Sequence, residues 1–109
     1  MIRYCFALDL KDDERLIAGY EDWHKKVWPE ILSGIKDSGI EALEIYRVVN
    51  RLFMIMEVNE LFSFDAKAKS DAENTVVQKW EELMWQYQQP IPGAKPGEKW
   101  VLMNKIFTL

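Results

Sequence analysis

The stretch "LFMIMEV", residues 52–58, constrains this chain more than any other. As a strand it puts Leu52, Met54, Met56 and Val58 on one face and Phe53 and Ile55 on the other. A strand that is apolar on both faces belongs in the middle of a sheet whose two faces are both covered. The rest of the chain must therefore supply neighbouring strands and cover for two sheet faces.

The neighbours are legible. "IRYCFALDL", residues 2–10, alternates: Ile2, Tyr4, Phe6, Leu8 and Leu10 share one face, and Arg3, Cys5, Ala7 and Asp9 the other. "IEALEIYRVV" reads as a second strand, joined to "LFMIMEV" by a tight turn at Asn50-Arg51. "KWVLMNKIFTL" reads as the last strand. Between the strands the period changes from two to that of a helix. After "KDDE", where Asp12 or Asp13 can N-cap, Leu16, Tyr20, Trp23 and Val27 fall at helical spacing, with Ile17, Tyr20, His24 and Trp28 on the adjoining ridge.

Pro29 removes a donor and pushes Trp28 out of the helical region, so two helical segments are expected to meet at a kink there. The second, "PEILSGIKDSG", starts on the proline and stops at Gly39. "ELFSFDAKAKSDAEN" is expected to hold a short helical turn and a polar break. "TVVQKWEELMWQYQQ" reads as a helix capped by Asn74, and "PIPGAKPGE" as a loop.

The resulting order is β-α-β-β-α-β, the ferredoxin-like pattern of an antiparallel sheet with helices on one face, in an α+β domain spanning residues 1–109. Helices cover only one face. No spare element remains for the other, and with 49% apolar and 13% aromatic residues a second copy of the sheet is the expected cover. A homodimer forming a dimeric α/β barrel is predicted.

Composition removes several functions. The net charge of -4, without a basic cluster, gives no footing for nucleic acid. No segment reads as a signal peptide or membrane span, so a cytoplasmic protein without membrane contact is expected. One cysteine, Cys5, excludes an internal disulfide, and one histidine leaves no zinc set. There is no phosphate-binding glycine loop and no serine or cysteine nucleophile motif. Chemistry that needs only proton transfers fits this inventory best.

The sole histidine, His24, lies four residues after Tyr20, on the same helix face. Such a pair can move a proton near neutral pH and orient a hydroxyl, or it can simply be a satisfied histidine at a helix–sheet boundary. Trp23, Trp28, Trp80 and Trp85 read first as core and interface. Trp80, followed by Glu81 and Glu82, could also floor a pocket with a carboxylate beside it, an arrangement that suits sugars. Glu44 and Glu57 lie inside strands, and either could face solvent or pair with Arg47 or Arg51.

The motifs "YEDWHKKVWPEI", "GIEALEIYR", "NRLFMIMEV" and "VQKWEELM" make the chain resemble the L-rhamnose mutarotase family over nearly its whole length. The spacing Tyr-x3-His-x3-Trp-Pro-Glu is the most specific of these features. "RYCFALDLKDD", "NRLFMIME" and "EKWVLMNKIF" are more similar to its L-fucose mutarotase branch.

The resemblance implies a dimeric ferredoxin-like barrel that interconverts the anomers of a deoxy monosaccharide without a cofactor or metal. It assigns the proton donor to His24 and a substrate contact to Tyr20. A tryptophan pair of the family falls on Trp80 and Glu81, and a substrate-contacting tyrosine of the rhamnose branch falls on Leu43. Both departures are in sugar contacts, so L-fucose is the expected sugar and L-rhamnose the alternative. Glu81 is a candidate hydroxyl acceptor or second acid/base group. Trp80 and Trp28 are expected to stack on the ring, with the kink at Pro29 folding the helix over the pocket. Two other readings use the same barrel: a haem-degrading monooxygenase with His24 as axial ligand, and a non-enzymatic dimeric sensor.

Overall fold

The computed structural model describes residues 1–109. Strand β1, Ile2–Leu10, lies inside the sheet. Helix α1, Glu14–His24, begins at Asp13, whose carboxylate accepts from the amides of Arg15 and Leu16. Helix α2 is Pro29–Asp37. Strands β2, Ile40–Val48, and β3, Arg51–Val58, form a hairpin. Helices α3, Phe64–Glu73, and α4, Thr75–Trp85, follow, and then the short strands β4, Gln88–Gln89, and β5, Val101–Leu102.

All pairings are antiparallel, in the order β2-β3-β1-β4, with β5 joining β4 on the same edge of β1. This is the ferredoxin-like order. The doubly apolar β3 is interior, as its sequence requires.

Register divides the faces. Phe6, Leu8 and Leu10 stand opposite Met54, Leu52 and the hairpin end, and they point at the helices. Leu10, Leu52, Tyr20, Ile31, Trp80 and Met84 form one buried cluster, and Phe6, Ile40, Met56 and Val58 form another. Ile35 and Trp100 pack against both. The other sheet face carries Cys5, Ala7, Tyr46, Val48, Phe53 and Ile55, and none of them is buried. Asp9 is the exception on that face. It is buried and accepts from Arg51 Nε and Nη2, at 2.8 and 3.1 Å, across the Asp9–Arg51 register pair.

Several elements depart from expectation. Residues 25–28 are not helical, so four residues separate the end of α1 from the proline and no kinked helix runs through it. Trp28, held extended by the following proline, is the N-cap of α2. The segment before α4 is a ten-residue helix, α3, not a turn. Ser63 caps it, yet it buries no residue, so no apolar stripe announced it. Helix α4 stops at Trp85, because Pro90 disfavours a helical Gln89 and the two glutamines pair with β1 instead. The last strand is confined to Val101–Leu102, with one further bond from Met103 N to Cys5 O at 2.8 Å. Beyond it Ile106, Phe107 and Leu109 are exposed.

The hairpin turn is Val49-Asn50, one residue earlier than expected. Asn50 exchanges bonds with Leu10, through Leu10 N to Asn50 O at 2.7 Å and Asn50 Nδ2 to Leu10 O at 3.0 Å. That tie leaves Val49 at φ 54°, where a β-branched side chain is strained. Val49 is exposed, and its carbonyl, not its side chain, holds Arg47. Val49→Asn is expected to stabilise the fold by about 1 kcal/mol and raise the melting temperature by ~4–8 °C. A lower melting temperature would show that the valine side chain contributes more than the strain costs.

Candidate functional site

Between the helices and the inner sheet face lies a cavity of about 880 Å³, lined largely by apolar side chains. At one end stand His24, Tyr20, Trp80, Glu81 and Gln88. Each arrives from a separate structural cause.

His24 is the last residue of α1. Its Nδ1 lies 2.8 Å from the Tyr20 carbonyl oxygen. A carbonyl only accepts, so Nδ1 carries the hydrogen and Nε2 is the nitrogen left for chemistry. The ring also packs 4.4 Å from the Tyr20 ring and 6.0 Å, edge to face, from Trp80. Its tautomer and its plane are therefore both set.

Tyr20 is buried, and its hydroxyl accepts a 3.1 Å bond from Gln88 Nε2. Burial pushes the phenol up to about 12, and the Gln88 bond offsets only part of that. Tyr20 is thus neutral at any physiological pH and keeps its hydrogen to donate. Gly19 makes room for this arrangement, since a Cβ there would sit 2.9 Å from Cε1 of Tyr87, whose ring packs 6.2 Å from Tyr20.

The tyrosine also sets a stability limb at high pH. Its pKa is raised on folding, so its contribution is complete below the unfolded value of 10.0 and is lost as pH rises to about 12. The expected loss is about 1.4 kcal/mol per pH unit across that window. Urea titrations at pH 9 to 12 would show it, and Tyr20→Phe should flatten the limb. An unchanged slope in Tyr20→Phe would place its cause elsewhere.

Trp80 is buried on α4 and held edge to face by Trp28 at 5.1 Å and by Trp23 at 6.3 Å. Trp23 is itself fixed by its Nε1 donating to Tyr87 Oη at 3.1 Å. One helix residue further, Glu81 lines the cavity half-buried and without an ion-pair or hydrogen-bond partner. Leu43 of β2 lines it too, as an apolar wall.

Five of the six residues expected at the site therefore meet in one cavity. Trp28 does not line it, and its ring supports Trp80 from behind. Trp28 was expected to stack on a ligand; it stands outside the cavity lining, against Trp80. The break at residues 25–28 is the reason, because it turns the chain away before Trp28.

The lining also holds residues the sequence did not single out for the site, among them Gln88, Arg47, Lys99 and Trp100. Gln88 was hidden inside an over-long helix. Arg47, which the sequence offered as one partner for a strand carboxylate, bonds instead to Glu21 of α1 and to Val49 O at 2.7 Å. Glu57 instead pairs with Arg3, and Arg51 with Asp9. Strand alternation does place Arg47 on the Leu43 face, and that signal could have found it.

The arrangement can position a polyhydroxylated ring. It offers one titratable ring nitrogen, a neutral phenol donor, a free carboxylate, an indole and an apolar wall. Residues 3–109 match the family described as L-rhamnose mutarotase. An L-fucose mutarotase from Xanthomonas campestris pv. campestris is 48% identical over 100% of this chain and 89% of its own. An L-rhamnose mutarotase from Shigella flexneri is 29% identical over 88% of this chain and 85% of its own. A solved L-rhamnose mutarotase from Formosa agariphila superposes with a TM-score of 0.74 at 22% identity, covering 100% of this chain and 99% of that one, which is a likeness of fold.

Proposed function

The chain belongs to the L-rhamnose mutarotase family, and from that premise we propose that it interconverts the α and β anomers of L-fucose by proton transfer at the cavity. The relative at 48% identity supports L-fucose over L-rhamnose. The observation that carries the chemistry is His24, whose Nδ1–H is committed to the Tyr20 carbonyl so that Nε2 is the working nitrogen.

Anomer exchange opens the pyranose ring, turns the C1 carbonyl and closes the ring again. Opening puts a proton on the ring oxygen and takes one from the anomeric hydroxyl. Protonated His24 gives the first proton from Nε2, and the Glu81 carboxylate takes the second. The C1–O5 bond breaks as the C1 carbonyl forms. On closure the C1 oxygen recovers its proton from Glu81 and the C5 hydroxyl returns its proton to His24. Both groups end as they began. Tyr20 is no base here, because its phenol holds its proton; it donates to a sugar hydroxyl while accepting from Gln88. Trp80 presents a ring to the sugar's C–H face, and Leu43 leaves room where a polar side chain would add a contact.

The proposed active form is a homodimer. The open sheet face with Tyr46, Val48, Phe53 and Ile55, together with the exposed Ile106, Phe107 and Leu109, forms apolar surface that a second copy would cover.

Saturation-difference NMR tests the reading. One anomeric proton of equilibrated L-fucose is irradiated and the other is watched, with L-rhamnose in parallel. Faster exchange of L-fucose than in buffer is expected. Exchange of L-rhamnose alone would move the substrate, and exchange of neither would end the proposal.

A further inference from the structure

We infer that the end of the cavity remote from His24 is a second sugar subsite, built from the Lys67–Asp71 ion pair and the rings of Phe62, Phe64 and Trp100. It takes the second ring of a reducing disaccharide whose reducing residue is the deoxy sugar. The inference rests on the anomer-exchange reading for what happens at the first ring.

Size is the first argument. A cavity of about 880 Å³ lies near the top of the ~300–1,000 Å³ range that encloses drug-sized ligands. One deoxyhexose ring is far smaller than such a ligand. The two buried clusters also sit at opposite ends of the inner face, around Tyr20 and Trp80 at one end and around Phe6 and Met56 at the other. Trp100 packs against both and lines the space between them.

The second argument is the ion pair. Lys67 Nζ donates to both Asp71 oxygens, at 2.6 and 2.7 Å, and both side chains line the cavity with only 22% and 23% of their surface exposed. Helix stability does not account for it. Lysine four residues ahead of an acid is the weaker order for a helix, and α3 buries no residue that the pair could be holding. Two of the three ammonium hydrogens are used, so one donor remains, and each carboxylate oxygen keeps an accepting lone pair. One donor beside two acceptors matches a vicinal diol, in which one hydroxyl accepts and its neighbour donates. Phe62 and Phe64 stand 5.0 Å apart, edge to face, and add apolar ring surface to the same wall.

Position is the third. Gln78 Nε2 donates to Asp71 O at 2.8 Å, which ties the end of α3 to the first turn of α4. Trp80 and Glu81 follow two and three residues later. That bond holds the Asp71 backbone beside Gln78, three residues or ~4.5 Å of helix rise from Glu81. Anomer exchange requires only a free C1 hydroxyl. A second ring attached through another hydroxyl of the first is therefore compatible with it.

The test compares L-fucose with a hexosyl-L-fucose that has a free anomeric carbon, using the intact protein. Saturation-difference NMR gives kcat/KM for each. The expected ratio favours the disaccharide by about tenfold, and Lys67→Met is expected to lower that ratio by about tenfold, the scale of one charge-assisted hydrogen bond. Saturation transferred from wild-type aromatic protons should also reach the second ring, a readout that needs no variant. A ratio of one or less, or a second ring that receives no saturation, overturns the subsite. If neither sugar exchanges faster than in buffer, the anomer-exchange reading fails, while the saturation pattern still decides whether the second ring is bound.

Discussion

His24→Ala is expected to slow L-fucose anomer exchange by roughly 10²–10⁴-fold, the usual worth of one positioned acid/base group. The loss should appear in kcat. In the proposed mechanism the alanine deletes the nitrogen that protonates the ring oxygen, while Trp80, Tyr20 and Gln88 still line the cavity. Structural damage can be separated from chemical loss. His24 is half-buried at the end of α1 and makes one side-chain hydrogen bond, to the carbonyl four residues before it. A urea midpoint close to that of the parent protein is therefore expected. Exchange within a few-fold of the parent rate would remove His24 from the mechanism and leave Glu81 with a bound water as the only proton route.

Trp80→Ala should remove a large share of the stability of the fold. Trp80 is only 9% exposed and touches His24, Trp23 and Trp28 ring to ring. Emptying such a site costs ~3–5 kcal/mol. A domain of this size has ~5–15 kcal/mol in total. Chemical denaturation should show the loss as a lower midpoint with little change in slope. Trp80→Phe keeps a ring against Trp28 and His24 and should recover part of it. A cost below about 1 kcal/mol for the alanine would mean the tryptophans do not depend on one another as their stacking implies.

The sequence carried the sheet clearly and the ends of elements poorly. β1 alternates and β3 is apolar on both faces, and both lie where their faces require. Asp13, Pro29, Gly39 and Asn74 each act locally, so the helix boundaries they mark were legible. α3 was not legible, because a Ser63 cap starts it and it has no apolar stripe. The early exit of α4 was missed because Gln88 is held by a tyrosine sixty-eight positions away, which no local pattern encodes. His24 and Tyr20 could be paired from their spacing. That Nδ1 is consumed by a backbone carbonyl, and that Trp28 stands behind Trp80, depend on the four-residue break between two helices.

The place of β1 in the sheet has a consequence during synthesis. β1 leaves the ribosome before its partners, so one of its edges waits for residues 51–58 and the other for residues 88–89 and 101–102. At ~5–20 residues per second, the second edge stays open for about 5–20 s. Until then the nascent chain presents an apolar template with unpaired backbone groups. Slower translation or a depleted chaperone supply should therefore lower the soluble yield of this protein.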